Sequence, residues 1–368
     1  MKKIGLLEYN SLIWFIIRAS FVELTSYLLI SEVKQDAWLA VLIGIFIGII
    51  PVSLMLYFKN KYPNDNIISL NNKLGFIGKI INIILLISVF IFGLTSFWVL
   101  IHFINSIVLF NTSLWIIIIA FIIPIWYISS KDIHVIGKTG LLMFYAMIAF
   151  IFIILIGLAN NIEFDNLMPV FNHKTSKILY ASLIFVSFDI LPLFLLSIIP
   201  KDKVKNYSNK ASLISYILAS LSVLNIIFLI ISCLGIDLAS LYEYPGYHLL
   251  KRVSLLDIVD RLENVLSLEW LFSTIIQVVI TIHFITQGIK EMFKSKEKTN
   301  NYITIIICLS FAIISNFIFK THGTETVFFK NILLYILIGS FFILPLISLI
   351  CSHFINHNKS QRNNNCNN

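Results

Sequence analysis

The chain has 368 residues, of which 58% are hydrophobic and only 12% are charged. A soluble globular domain carries about 25% charged residues, so this composition excludes an ordinary soluble protein and predicts a protein that crosses a membrane many times. The net charge of +8 comes mainly from lysines between the apolar segments. That distribution is typical of membrane proteins, and no nucleic-acid partner is expected.

Ten apolar segments are long enough to cross a lipid bilayer, for which roughly 20 residues suffice. The predicted spans are residues 6–30, 38–58, 78–109, 113–130, 136–159, 178–200, 211–235, 265–289, 302–319 and 330–356. We therefore predict an all-α integral membrane protein with ten transmembrane helices. Residues 1–356 form a single transmembrane domain in this prediction, and the polar residues 357–368 form a disordered tail.

The basic residues between the predicted spans are distributed unequally between the two sides of the membrane. One side, which also holds both termini, carries 18 Lys and Arg residues, whereas the other side carries 8. Basic loops are retained in the cytoplasm, so this bias predicts that both termini are cytoplasmic.

The sixth predicted span carries an ionisable residue and a helix breaker at the same depth. Asp189 lies in the middle of the span, and Pro192 follows three residues later. Pro192 lacks a backbone N–H, and its ring clashes with the carbonyl of Phe188 in a regular helix. A charged carboxylate at the bilayer centre costs at least ~2.5 kcal/mol. The pattern predicts a discontinuous helix that lines a binding site; the alternative is a kinked helix with a structurally neutralised aspartate.

The first span has the same unusual features, because Arg18 and Glu23 both lie within its apolar sequence. Five residues apart, they point about 140° away from each other on a continuous helix, so they do not form a simple pair. Each needs another partner, or the helix is interrupted near Ala19 and Ser20. An ion pair between Arg18 and Asp189 without a role in ligand binding is an alternative.

The two halves of the chain therefore each begin with a span that carries charge within the membrane. This arrangement is typical of two inverted five-helix repeats, here residues 6–159 and 178–356. In the eighth span Thr274, Gln277 and Thr281 share one helix face. We predict that this face points into the bundle near a ligand, although hydrogen bonds between helices would explain it equally. Residues 248–266 have the pattern of an amphipathic helix that lies on the outer surface or caps the bundle.

The motifs of the common enzyme classes are absent from the sequence. It contains no H-E-x-x-H, no G-x-S-x-G, no P-loop and no C-x-x-C pair, so neither an enzyme nor a metal or organic cofactor is expected. Buried charges in a ten-helix protein instead favour binding of a small solute. Arg18 would bind a carboxylate through two hydrogen bonds, and Asp189 would bind an ammonium group. An amino acid meets both requirements.

Several stretches together resemble one known family. They are Gln35-Asp36-Ala37-Trp38 at the start of the second span, Asn166-Leu167-Met168-Pro169-Val170 before the sixth, and the external run from Tyr244-Pro245 to Asp260-Arg261-Leu262-Glu263. With the acidic residue of the sixth span, they resemble the spore germination permease family, which provides the B subunit of endospore germinant receptors. That family is a branch of the amino acid/polyamine/organocation transporter superfamily.

The resemblance implies a LeuT-like fold with broken first and sixth helices and a ligand pocket between them. The ligand-binding residues predicted from the resemblance and from the buried charges are Arg18, Ala19, Ser20, Glu23, Ser187, Phe188, Asp189, Gln277 and Thr281. The family usually has glycine at both breaks, and this chain does not. Fewer glycines leave the exposed backbone less freedom.

The resemblance also implies a biological setting. The protein would join companion A and C subunits in the spore inner membrane of a low-GC endospore-forming bacterium, where a nutrient such as an amino acid triggers germination. Two alternatives stay open. One is a proton- or cation-coupled amino acid transporter in which Asp189 or Glu23 titrates. The other is an ion-conducting or structural subunit whose partner holds the ligand site.

Overall fold

The computed structural model describes residues 3–253, 263–294, 299–318 and 322–353. Within these ranges the chain is helical, and the only β-type pairing is an isolated parallel bridge between Ile4 and Val204. The structure therefore agrees with the predicted all-α class. The α-helices are α1 (Leu6–Ser20), α2 (Ser26–Val33), α3 (Ala37–Lys61), α4 (Ile67–Asn72), α5 (Phe76–Phe103), α6 (Leu114–Ser129), α7 (Ile133–Leu158), α8 (Thr175–Phe185), α9 (Asn209–Leu241), α10 (Pro245–Leu250), α11 (Glu263–Leu266), α12 (Leu268–Phe293), α13 (Thr299–Ser315), α14 (His322–Phe328) and α15 (Leu334–Ile338).

Other kinds of helical turn interrupt or join these α-helices. The π-helical turns are Phe21–Thr25, Ile104–Val108, Val186–Ile190, Phe329–Leu333 and Gly339–Ile343, and the 3-10 helices are Lys34–Asp36, Ala159–Asn161, Phe164–Leu167, Leu191–Ile198 and Lys201–Lys203. The last π-helical turn continues into helical residues 344–353.

Seven helical segments in the described ranges are long and apolar enough to cross a membrane. They are Ser26–Lys61, Phe76–Val108, Ile133–Asn161, Thr175–Ile198, Asn209–Leu241, Leu268–Phe293 and Glu325–His353. Two shorter apolar helices, Leu114–Ser129 and Asn301–Ser315, accompany them. The number of ten spans and the inverted repeats stay predictions. The predicted tail and the middle of the predicted amphipathic helix, residues 254–262, lie outside the described residues.

The first span is interrupted where its sequence predicts an interruption. Helix α1 ends at Ser20, and a π-helical turn over Phe21–Thr25 follows it. A π-helical turn shifts the hydrogen-bond pattern and leaves local carbonyl groups in need of other partners. The hydroxyl of Thr274 in α12 donates to the Ala19 carbonyl at 3.3 Å. The break is therefore a widened turn that a neighbouring helix stabilises.

The sixth span changes from one kind of helix to another within the bundle. Helix α8 ends at Phe185, a π-helical turn covers Val186–Ile190, and a 3-10 helix covers Leu191–Ile198. Pro192 stands in the first turn of the 3-10 helix. A proline is tolerated at that position because the first turn of a helix does not use its N–H.

Two glycines allow close packing of helices around the centre of the bundle. A Cβ atom added at Gly48 in α3 would lie 2.4 Å from Ile190 Cδ1, at the break in the sixth span. One added at Gly93 in α5 would lie 2.4 Å from the Thr281 side chain in α12. Small residues let membrane helices pack backbone to backbone, so these contacts keep α3 and α5 against the centre of the bundle.

Two of the sequence stretches that carry the family resemblance contact each other. The buried Asp36 carboxylate accepts hydrogen bonds from the backbone N–H groups of Phe171 and His173 at 2.8 and 2.9 Å. Gln35 donates to the Pro169 carbonyl at 3.4 Å. The start of α3 therefore fixes the loop that leads into the sixth span.

Lys59 holds the opposite end of the sixth span. The predicted second span ends at residue 58 and leaves Lys59 in the loop that follows, and the structure contradicts that placement. Helix α3 continues to Lys61, and the Lys59 side chain is 1% exposed. Its ammonium group donates to the carbonyls of Leu196 and Ile199 at 3.0 and 2.6 Å. These carbonyls lie at the end of the 3-10 helix, where regular helical partners run out.

Candidate functional site

A small cavity lies between the two interrupted spans and α5 and α12. Its volume is about 20 Å³. It is lined by Ala19, Ser20, Leu24, Phe92, Thr95, Ser96, Val99, Phe188, Thr274, Gln277, Phe329 and Leu333. We refer to it as the central cavity.

The polar side chains of the central cavity centre on Gln277. Its amide nitrogen donates to the Ser20 hydroxyl at 3.5 Å, which joins α12 to the first break. Its side-chain carbonyl oxygen is buried and has no hydrogen-bond partner among the described residues. Thr281, one turn further along α12, donates to the Gln277 backbone carbonyl at 2.8 Å. An unsatisfied buried acceptor costs about 1–3 kcal/mol, so this oxygen marks a place where a ligand donor is expected.

The central cavity is closed in this structure. A volume of 20 Å³ accommodates roughly one water molecule. The rings of Phe188 and Phe329 contact each other edge to face with centroids 6.4 Å apart, and both line the cavity. A ligand of amino-acid size therefore requires these side chains, or the π-helical turns that carry them, to move apart.

Asp189 is fully buried next to this cavity. It lies in the π-helical turn of the sixth span, one residue after Phe188, and its exposure is 0%. The Thr25 hydroxyl of the first break lies beside the carboxylate. Neither carboxylate oxygen makes a hydrogen bond of normal geometry within the described part of the chain. An uncompensated carboxylate within a membrane is costly, so Asp189 stays a candidate functional residue.

Arg18, by contrast, has a partner in another helix. Its guanidinium forms a buried ion pair with Glu269 at the start of α12 and donates to the Ser222 hydroxyl in α9 at 2.7 Å. It also lies 5.9 Å from the centre of the Trp14 ring. The sequence interpretation missed Glu269, which stands only four residues inside the predicted eighth span. The ion pair that it considered, Arg18 with Asp189, is not the one that forms.

A cluster of aromatic rings forms around Trp270, the residue after Glu269. The Phe103 ring packs edge to face against Trp270 and Tyr247, with centroids 4.8 and 5.6 Å apart. Tyr247 belongs to the short helix α10. Burial, together with the neighbouring Lys251, lowers the pKa of the His248 imidazole in the same helix. We expect α10 to cover the bundle with its histidine uncharged at neutral pH.

The structure divides the nine predicted ligand-binding residues into groups. Those that line the central cavity are Ala19, Ser20, Phe188 and Gln277. Thr281 supports Gln277, and Ser187 in the π-helical turn donates to the Leu183 carbonyl in α8 at 2.7 Å. Asp189 lies behind the cavity wall, and Arg18 lines a different cavity. Glu23 lies in the first π-helical turn, and its side chain lies outside the described part of the structure.

The described residues contain no group of three or more His, Cys, Asp or Glu side chains arranged to hold a metal ion. What the central cavity offers is hydrogen-bonding groups, aromatic rings and one nearby buried carboxylate. Groups of these kinds are suited to binding and orienting a small polar molecule.

Comparison with known proteins shows which family the sequence is similar to. The family model described as "Spore germination protein" matches residues 11–324. Spore germination protein KB of Bacillus subtilis is 26% identical over 310 residues, which cover 80% of this chain and 82% of that protein. Spore germination protein GerQB of Bacillus cereus is 25% identical over 302 residues and 78% of each chain.

A solved transporter structure shares the fold. It is Mhp1, a nucleobase-cation-symport-1 family transporter, in a closed conformation with bromovinylhydantoin bound. The TM-score is 0.66 at 15% sequence identity, and the match covers 94% of this chain and 78% of that one. The helices described above therefore form a membrane transporter fold.

Proposed function

The chain belongs to the spore germination protein family, and from this membership we propose that it is the membrane subunit of a spore germinant receptor. In this proposal a small nutrient binds in the central cavity and thereby triggers germination. The observation that carries the proposal is the unpartnered Gln277 side-chain oxygen in a cavity between two interrupted spans. Binding shifts a conformational equilibrium only if the ligand prefers one state, and the closed cavity provides such a difference.

The groups around the central cavity favour an amino acid as the nutrient. The Gln277 amide and the Ser20 hydroxyl provide donors and acceptors for a carboxylate and an ammonium group. The buried Asp189 carboxylate provides the negative charge for the ammonium group once the cavity opens. Because Glu269 already occupies the Arg18 guanidinium, Arg18 is not part of this proposed contact.

We further propose that the protein works as part of a complex with companion A and C subunits in the spore inner membrane, with both termini in the cytoplasm. The family membership, the names of the Bacillus relatives and the excess of basic residues on one side support this part of the proposal. No catalytic step and no cofactor belongs to it.

A proton- or cation-coupled amino acid transporter is the second candidate, and the buried, unpartnered Asp189 is the observation that favours it. Such transporters use buried carboxylates to couple ion movement to substrate movement. Sustained uptake of an amino acid by the chain alone in proteoliposomes would favour this function. An ion-conducting or structural subunit is the third reading, and it predicts that cavity substitutions leave the germinant preference unchanged.

The proposal is tested by thermal unfolding of the purified protein with each of the twenty amino acids and a set of sugars and nucleosides. We expect one class of nutrient to raise the unfolding temperature. Gln277→Ala removes a hydrogen bond to ligand worth about 1–1.5 kcal/mol and should weaken this binding about tenfold. Gln287→Ala, a change of the same kind ten residues further along α12, is the control and should bind normally. Equal binding by both variants would contradict the proposed site.

A further inference from the structure

A second cavity lies beside the Arg18–Glu269 ion pair and shares no lining residue with the central cavity. Its volume is about 70 Å³. It is lined by Arg18, Ile151, Ile154, Leu155, Ser222, Asn225, Ile226, Leu229, Gly246, Leu249, Leu250, Glu269 and Trp270. We refer to it as the lateral cavity. At about three times the volume of the central cavity, it already has room for a small group of atoms.

Two residues that line the lateral cavity each carry a buried N–H donor with no acceptor among the described residues. The donors are Arg18 Nε and Trp270 Nε1. The side chains that carry them come from different helices and are 2% and 1% exposed. Buried donors are nearly always hydrogen-bonded, and an unpaired one is costly. Two in one cavity point to a missing acceptor.

The charge of the lateral cavity is already balanced, because Glu269 neutralises Arg18. A ligand carboxylate would add a second negative charge beside Glu269, and a ligand cation would face the Arg18 guanidinium. Charges that lack a counter-charge are expensive to bury. The electrostatics therefore favour an uncharged acceptor, such as a carbonyl oxygen.

The rest of the lateral cavity is aliphatic, and its outer wall lies on the least buried of the seven candidate spans. The wall residues Ile151, Ile154 and Leu155 of α7 are only partly buried. A membrane span with so little protein around it faces lipid, so the cavity is next to the bilayer. A molecule with an aliphatic chain reaches it from the lipid phase.

We propose that the lateral cavity is a binding site for an uncharged carbonyl group carried on an aliphatic chain, with Arg18 Nε and Trp270 Nε1 as its hydrogen-bond donors. The ester group of a membrane lipid and a free alkyl ester have this same chemistry. This inference does not depend on the proposed germinant, which binds in the central cavity. Ala19 and Ser20 line the central cavity directly after Arg18, so α1 borders both cavities.

The test measures the unfolding temperature of delipidated full-length protein in detergent against four probes of similar size. The probes are methyl pentanoate, heptane, hexanoate and hexylamine. We expect methyl pentanoate to raise the unfolding temperature in a saturable way, and the other three to have at most a third of its effect. Heptane acting as well as the ester would overturn the proposal, because the cavity would then be a purely apolar void.

Substitutions locate the binding. Trp270→Phe keeps an aromatic ring against Phe103 but removes one donor, and it should weaken ester binding about fivefold, the equivalent of one hydrogen bond of ~1 kcal/mol. Trp126→Phe is the matched control, because Trp126 Nε1 is also buried and unpartnered but does not line the lateral cavity. Leu155→Trp fills the cavity and should abolish binding. Equal ester binding by the Trp270→Phe and Trp126→Phe variants would overturn the assignment.

Native mass spectrometry separates the two sources of the ligand. A lipid retained by the wild-type protein and by Trp126→Phe, but lost from Leu155→Trp, identifies a lipid ester as the occupant. Absence of retained lipid together with ester binding by the delipidated protein identifies a free molecule. Absence of both retained lipid and ester binding would overturn the proposal.

Discussion

The two interrupted spans both carry a buried charged residue, but the surroundings of the two charges differ. Arg18 at the end of α1 has a counter-charge in Glu269 and a hydrogen bond to Ser222. Asp189 in the sixth span has neither a counter-charge nor a hydrogen bond of normal geometry among the described residues. A compensated charge holds helices together, whereas an uncompensated one is available to a ligand or an ion. The break in the first span is therefore anchored by an ion pair, whereas the break in the sixth span carries a charge that no described residue compensates.

The largest expected effect comes from removing the counter-charge of Arg18. Glu269→Gln leaves a buried guanidinium uncompensated and should lower the free energy of unfolding by about 3–5 kcal/mol. Thermal unfolding in detergent measures the loss. Glu32→Gln is the control: it breaks a more exposed ion pair with Lys330 and should cost less than about 1 kcal/mol. Equal losses in the two variants would show that Arg18 does not depend on Glu269.

A double substitution tests whether Glu269 matters only as the counter-charge of Arg18. Arg18→Met combined with Glu269→Leu removes both charges and keeps similar side-chain volumes. Replacing a buried ion pair by packed apolar groups is often neutral, so the double variant should regain most of the stability that Glu269→Gln loses. A double variant less stable than Glu269→Gln would mean that the pair has another role.

An intermediate effect is expected at the far end of the sixth span. Lys59→Met removes both hydrogen bonds to the carbonyls of Leu196 and Ile199 and should cost about 2 kcal/mol. Lys61→Met, two residues further along the same helix, alters an exposed ammonium group and should have little effect on stability. A similar loss in both variants, measured by thermal unfolding, would mean that Lys59 does not fasten the sixth span.

The smallest expected effect on stability comes from Asp189, because no partner depends on its charge. Asp189→Asn should leave the unfolding temperature unchanged or raise it slightly, since it removes a buried charge that nothing compensates. It should also abolish the nutrient response of spores that carry the variant as their sole receptor of this type. A loss of stability as large as that of Glu269→Gln would show that Asp189 is structural.

The sequence predicted both breaks because each has a local cause. Charged residues within apolar spans, together with Pro192 in the sixth, are visible without any knowledge of the fold. The absence of glycine agrees with the form of the breaks, because both stay helical. The break in the first span is a π-helical turn, and the break in the sixth span is a π-helical turn followed by a 3-10 helix. The helix face that contains Gln277 was predicted correctly to point inward, because Gln277 lines the central cavity.

The sequence alone could not predict that Arg18 pairs with Glu269. Arg18 and Glu269 are separated by 251 positions, and only tertiary packing brings α1 and α12 together. Glu269 stands so close to the start of its predicted span that its sequence position is typical of an interfacial residue. Lys59 comes directly after the end of the predicted second span, where a loop lysine is expected. The lateral cavity forms where α1, α7, α9, α10 and α12 pack together. No local sequence pattern predicts such packing.

The most direct test compares the two cavities by cysteine labelling. The native Cys233, Cys308, Cys351 and Cys366 are replaced by serine, and a single cysteine is introduced by Ser20→Cys in the central cavity or by Ser222→Cys in the lateral cavity. The amino acid that stabilises the protein in the thermal screen should slow labelling of the Ser20→Cys variant by a small membrane-permeant thiol reagent severalfold and leave the Ser222→Cys variant unchanged. Protection of the Ser222→Cys variant alone would contradict the account, because the nutrient would then occupy the cavity beside the compensated charge.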